Sequence, residues 1–261
     1  MKTALLPLAI LSLAMLTPSA HAKIKTEIVE YKSGDTTLEG FLAYDDADTK
    51  PRPGVLLIHD WMGVGFYAES RARQLAELGY VAFAADIYGK GVRPVDQKEA
   101  GALAGKYKGG RALYRERLKA GLDQLTGNKL VAPGKIAVIG YCFGGTGALE
   151  LGRSGADVKG IVTFHGGLST PTPADAKNIK CPVLVLHGAD DPFVKADEVA
   201  AFKKEMEDAN VKYNFIAYPG AVHSFTRSDA GNDNSKGAAY NEAADKQSWA
   251  EMKKFFGQIF S

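Results

Sequence analysis

Lys135-Ile136-Ala137-Val138-Ile139-Gly140-Tyr141-Cys142-Phe143-Gly144-Gly145 is the stretch on which the reading of the chain turns. Lys135–Gly140 is a short apolar run of the kind that forms a strand buried on both faces. It leads into G-x-C-x-G, and a helix is expected to begin near Gly144. This order is that of a nucleophile elbow, with cysteine where serine usually stands. The elbow sets its nucleophile on a sharp, strained turn, which closes only if the neighbouring positions are small. The amides of the following helix point at Cys142 and favour a thiolate. The plainer reading of Cys142 is a buried structural cysteine. The ordered strand, glycines and helix favour the nucleophile.

Outward from this segment the chain alternates. Ile24–Tyr31 and Thr37–Tyr44 have strand composition, and Ser33-Gly34-Asp35 between them reads as a hairpin turn. Gly54–His59, Tyr80–Ala85, Gly160–Phe164, Pro182–His187 and Lys212–Tyr218 read as further strands. Ala68–Leu78, Asp96–Tyr107, Arg111–Leu125, Ala196–Ala209 and Ala239–Ile259 read as helices. Strands alternating with helices imply an α/β fold: a mainly parallel central sheet, helices on both faces and an antiparallel hairpin at the start. There is no repeat, low-complexity segment or long linker. Residues 23–261 therefore read as one domain, with ligands expected at the carboxyl ends of the strands.

Residues 1–22 have a different character. Met1-Lys2 gives a positive start, Ala4–Leu16 is apolar, and Ala20-His21-Ala22 is an A-x-A cleavage pattern. That order is expected of a secretory signal peptide, with export to a periplasmic or extracellular destination. The apolar run is shorter than the roughly 20 residues that span a bilayer, and Pro7 interrupts it. The formal charge is +2, or +1 without Lys2, which gives no footing for nucleic acid or an anionic surface. Cys142 and Cys181 are the two cysteines. They belong at opposite ends of their strands, about 15–20 Å apart and beyond disulfide reach. Cys181 is expected in the core or at an edge.

Two later loops supply the partners a nucleophile needs. Gly188-Ala189-Asp190-Asp191-Pro192 follows one strand, and Pro219-Gly220-Ala221-Val222-His223-Ser224-Phe225 follows the next. The order nucleophile, acid, histidine suits this architecture. Asp191 is favoured over Asp190 as the acid that orients His223. His223 would take the thiol proton and return it to the leaving group. Turn-forming aspartates and an ordinary loop histidine are the plainer readings. His59 and His187 close strands and are read as holding loops. His165, also at a strand end, is a candidate pocket residue.

These residues resemble the dienelactone hydrolase family, the carboxymethylenebutenolidases. The resemblance covers nearly all of residues 23–261. It rests on Gly140-Tyr141-Cys142-Phe143-Gly144-Gly145, on Gly188-x-x-Asp191, and on His223-Ser224-Phe225-x-Arg227. It implies hydrolysis of a small ester or enol-lactone through a cysteine acyl-enzyme, without metal or cofactor, in a monomer. It also implies an oxyanion hole made by the amides of Phe143 and Trp61. The family carries a thiol-tuning glutamate where this chain has Asp60, one methylene shorter; a loop-structuring carboxylate is the alternative. The family holds its substrate carboxylate with two arginines. Arg227 matches one, and Lys90 aligns with the other, with Arg93 close by. Lysine cannot clamp a carboxylate bidentately. A non-catalytic small-molecule-binding protein on the same fold is the alternative function. A thiol redox protein is a third reading, disfavoured because there is no C-x-x-C and no resolving cysteine beside Cys142.

Overall fold

A computed structural model describes residues 23–261; the expected signal segment lies outside the described residues. The chain opens with strands β1 (Ile24–Ser33) and β2 (Thr36–Asp45). They form a hairpin whose turn holds Gly34 at φ 55°. The parallel strands follow: β3 (Arg52–Ile58), β4 (Val81–Ala85), β5 (Val131–Tyr141), β6 (Gly160–Phe164), β7 (Val183–Gly188) and β8 (Tyr213–Tyr218). The eight-stranded sheet has the order β1-β2-β4-β3-β5-β6-β7-β8. Only β1–β2 and β2–β4 pair antiparallel. This is the α/β architecture expected from the alternating pattern.

Helices α1 (Phe66–Glu77), α2 (Gln97–Gly109), α3 (Arg111–Thr126), α4 (Phe143–Arg153), α5 (Ala196–Asp208) and α6 (Glu242–Ile259) cover the sheet. Two apolar layers result. Leu56, Ile58, Val138 and Val185 face the layer containing Leu118 and Leu149; Leu57, Ile139, Val162 and Leu184 face the layer containing Leu75 and Phe256. The alternation of strand side chains between the two faces generates both layers from the same strands.

Boundaries shift for local reasons. α1 begins two residues before the expected Ala68, and Gly79 just after it adopts φ 89°. α6 begins at Glu242, three residues after the expected Ala239. Asn241 caps it by accepting the Ala244 N–H, and Ala239 is instead tied to His223 by a backbone hydrogen bond of 3.0 Å. β5 extends back to Val131, because Val131 also pairs with Arg52 of β3. Short 3-10 turns at Pro173–Asn178, Ser228–Ala230 and Asn234–Lys236 carry no strong periodicity and were not legible in the sequence.

Candidate active site

The elbow is where the backbone departs furthest from routine. Cys142 lies between the end of β5 and the first residue of α4, at φ 53° and ψ −113°. Glycines make the turn possible. A Cβ on Gly140 would lie 1.9 Å from the Gly144 carbonyl oxygen, and one on Gly144 2.2 Å from the Ile58 carbonyl oxygen. One on Gly145 would lie 2.3 Å from Thr163 Oγ1. The Cys142 N–H donates to Phe164 O across the sheet at 3.0 Å. The side chain is thereby presented at the carboxyl edge of the strands, half-buried.

The loops after β7 and β8 meet it there. His223 Nε2 lies 3.0 Å from Cys142 Sγ, and Nδ1 lies 2.8 Å from Asp191 Oδ2. The other Asp191 oxygen accepts the Phe193 N–H at 2.9 Å, so the carboxylate is fixed from both sides. Asp190 is turned elsewhere. It accepts the Gly220 N–H at 3.0 Å and staples the two loops together. His223 is itself held by its N–H donating to Gly237 O at 3.1 Å. Burial works against an imidazolium here, but the electrostatic pull of Cys142 and the hydrogen bond that Nδ1 donates to Asp191 outweigh it and raise the His223 pKa to about 10.

His165 packs edge-on to His223 with ring centroids 5.2 Å apart. It is fully buried, and burial with the neighbouring His223 charge holds it well below the ordinary histidine range, as a neutral ring. Its Nε2 pairs with Thr226 Oγ1 at 2.7 Å. Thr226 Oγ1 in turn lies 2.5 Å from Tyr67 Oη, and the Thr226 carbonyl accepts from Arg71 at 2.8 Å. His165 therefore backs His223. His59 lies beneath the next loop, fully buried and stacked on Phe143 at 5.7 Å. Its Nδ1 is 2.5 Å from Asp60 O, and its Nε2 accepts the Ile87 N–H at 3.3 Å. It ties the Asp60–Trp61 loop to the end of β4. His187, the fifth residue of β7, is buried beside Phe215.

The Trp61 and Phe143 amides, expected to hold an oxyanion, make no backbone hydrogen bond in the loops and caps of the described residues. The Trp61 carbonyl accepts from Tyr88 Oη at 3.0 Å, and the Phe143 carbonyl accepts from Tyr114 Oη at 2.9 Å. Both segments are thus pinned from the carbonyl side.

The remaining expected residues are engaged with one another or with distant groups. Asp60 is buried; one oxygen accepts the Met62 N–H at 2.8 Å and the other accepts from Arg227 Nη1. Neither oxygen is hydrogen-bonded to Cys142. Arg227 also donates through Nε and Nη2 to the two oxygens of Asp229, at 2.9 and 2.6 Å, and lies over the Tyr67 ring. Arg227 holds the Asp229 carboxyl below its usual range. The Lys90 ammonium pairs with Glu30 of β1, half exposed. Arg93 donates to the carbonyls of Val64, Gly89, Val92 and Glu39. Neither of these two cations is hydrogen-bonded to Cys142. Cys181 is free and buried, and burial pushes its thiol up to about 12. Asp229, Thr226, Tyr67 and Tyr88 went unnoticed in the sequence. Only Asp229 had a local signal there, two residues after Arg227.

The sequence profile of the dienelactone hydrolase family matches residues 38–260. Protein usf of Aquifex pyrophilus is 30% identical over 211 residues, spanning 76% of this chain and 86% of its own. The solved structure called m3DLH superposes with a TM-score of 0.88 at 39% identity, over 91% of this chain and 99% of its own. A dienelactone hydrolase-like promiscuous phosphotriesterase from metagenomic libraries superposes with a TM-score of 0.86 at 38% identity, with the same coverage. With the profile running from β2 into α6 and the fold shared end to end, the chain belongs to the dienelactone hydrolase family of α/β-hydrolases, hydrolases of small esters and lactones.

Proposed function

We propose that this protein hydrolyses a small ester or lactone through a covalent cysteine intermediate, with Cys142, His223 and Asp191 as its triad. The observation that carries the reading is the continuous line from Asp191 Oδ2 through the His223 ring to Cys142 Sγ, with contacts of 2.8 and 3.0 Å. A buried structural cysteine needs no such partner.

The Cys142 thiolate attacks the carbonyl carbon. The developing oxyanion is met by the Phe143 and Trp61 N–H groups, which cost little reorganisation because their segments are already pinned. Collapse breaks the bond to the leaving oxygen, which takes the proton from His223 Nε2. The acyl group remains as a thioester on Cys142. A water then gives its proton to His223 and attacks the thioester. The thiolate leaves, and a carboxylic acid is released. Asp191 keeps the imidazole in one orientation and stabilises its charged form throughout.

Replacing Cys142 with alanine is expected to lower kcat/KM by at least about a thousandfold on any ester the protein turns over. A stopped reaction of the wild type should carry one acyl group on Cys142 by intact mass. Undiminished turnover in Cys142→Ala would sink the mechanism. Ligand affinity without turnover across aryl esters and lactones would favour a binding protein on the same fold. The reading includes export, supported by the composition of residues 1–22, and amino-terminal sequencing of the secreted product should begin near Lys23.

A further inference from the structure

A site that recognises an anionic acyl group needs a cation with free donors facing the nucleophile. A guanidinium does this best, through two parallel N–H groups on one carboxylate. Arg227 is the residue on hand, but each of its three nitrogens is already engaged. Nε and Nη2 grip the two oxygens of Asp229, and Nη1 is given to Asp60. The Tyr67 ring covers one face, with its centroid 5.0 Å away. Only 18% of the Arg227 side chain reaches solvent.

The neighbouring cations do not replace it. Lys90 is paired with Glu30, Arg93 is spent on four carbonyls, and Arg71 is spent on Thr226 O and Asp245. Asp60, Arg227 and Asp229 together carry one net negative charge beside the elbow. An exposed apolar side chain lies against the histidine. Phe193 is 60% exposed and meets the His223 ring edge-on at 5.4 Å.

We infer that Asp229 acts as a built-in stand-in for a substrate carboxylate, closing the Arg227 fork so that the site selects esters and lactones with an uncharged, apolar acyl part. The inference rests on the proposed triad and narrows its substrate class. Asp229 is a specificity residue. It touches the guanidinium that would otherwise face the acyl group, and it takes no part in proton or acyl transfer. The same charge balance disfavours an anionic acyl group on approach, an effect that salt screens.

The test uses two esters with one leaving group, 4-nitrophenyl butyrate and 4-nitrophenyl hemisuccinate, whose acyl chains differ chiefly by a terminal carboxylate. Wild type, Asp229→Asn and Cys142→Ala are compared at low and high salt. The wild type is expected to favour the butyrate by about tenfold or more in kcat/KM. Asp229→Asn should raise the hemisuccinate-to-butyrate ratio by about tenfold, mainly through KM for the hemisuccinate, and high salt should shrink that gain. A wild type that prefers the hemisuccinate overturns the inference, since its own substrate then displaces Asp229. So does an unchanged ratio in Asp229→Asn. Turnover that persists in Cys142→Ala, or its absence from the wild type on both esters, instead overturns the triad on which the inference rests.

Discussion

His223 is a group whose proton is held by its surroundings. Its pKa is raised to about 10 although burial disfavours the imidazolium, because the electrostatic pull of Cys142 and the hydrogen bonds to Asp191 and Cys142 outweigh that penalty. The sign is that of a proton bound more tightly in the fold than in the unfolded chain. The stability it contributes is complete below an unfolded histidine's pKa of about 6.5 and is lost as the pH rises through 10. The His223 ring should therefore be doubly protonated at pH 8 by nitrogen chemical shift, with a titration midpoint near 10. In Cys142→Ala that midpoint should fall, since the group beside Nε2 that favours the imidazolium is gone. A midpoint insensitive to Cys142 would count against the pair. At this scale the sequence was informative wherever a residue's role follows from its place beside a strand end. Cys142, Asp191 and His223 were each singled out that way, and their side chains meet in the structure. It was uninformative about Arg227, whose partner depends on how the turn at Ser228–Ala230 folds its neighbour back onto it.

The elbow is an element-scale device: β5, the Cys142 turn and α4 are held by three glycines with no room for a methyl group. The obstacles at Gly140 and Gly144 are backbone atoms, which cannot swing aside as a side chain could. Gly144→Ala places a Cβ 2.2 Å from the Ile58 carbonyl, forcing β3 and α4 apart. The expected cost is about 3 kcal/mol or more of unfolding free energy, read from urea denaturation. The surviving folded fraction should also lose activity, because Phe143 and Cys142 move with the helix. Gly105 on α2, where a Cβ meets nothing within 4 Å, is the matched control. Alanine there should be neutral or stabilising by up to about 1 kcal/mol. Equal behaviour of the two variants would show that the elbow is not tightly packed. The glycine pattern made this element readable from sequence, since its spacing encodes the close approach. The end of α6 nearest the site was not readable, because Ala239 has helical composition but is claimed by His223 O.

Across the whole molecule, the helix that follows Cys142 is fastened at its far end by ions buried between layers. Arg153, the last residue of α4, is fully buried. It donates to Glu150 at 3.0 Å, to both oxygens of Glu205 on α5 at 2.8 and 2.7 Å, and to Leu168 O at 2.9 Å. Arg115 of α3 reaches Glu150 and Asp175 at 2.8 Å each. One network thus joins α3, α4, α5 and the turn after β6. Such a network is costly to build and far costlier to break, because removing one ion leaves its partners charged and dry. Arg153→Met should lower the unfolding free energy by about 3–5 kcal/mol. Arg153 lies about 16 Å along the helix from Cys142, so kcat of the folded enzyme should change little. Glu205→Leu added to Arg153→Met should recover part of the loss, since it removes a stranded carboxylate rather than a contact. If the double variant is no more stable than Arg153→Met, the loss comes from packing around α4 rather than from buried charge. The sequence could not have announced this, because two arginines, two glutamates and an aspartate spread over four elements look like solvated surface until the sheet brings their helices together.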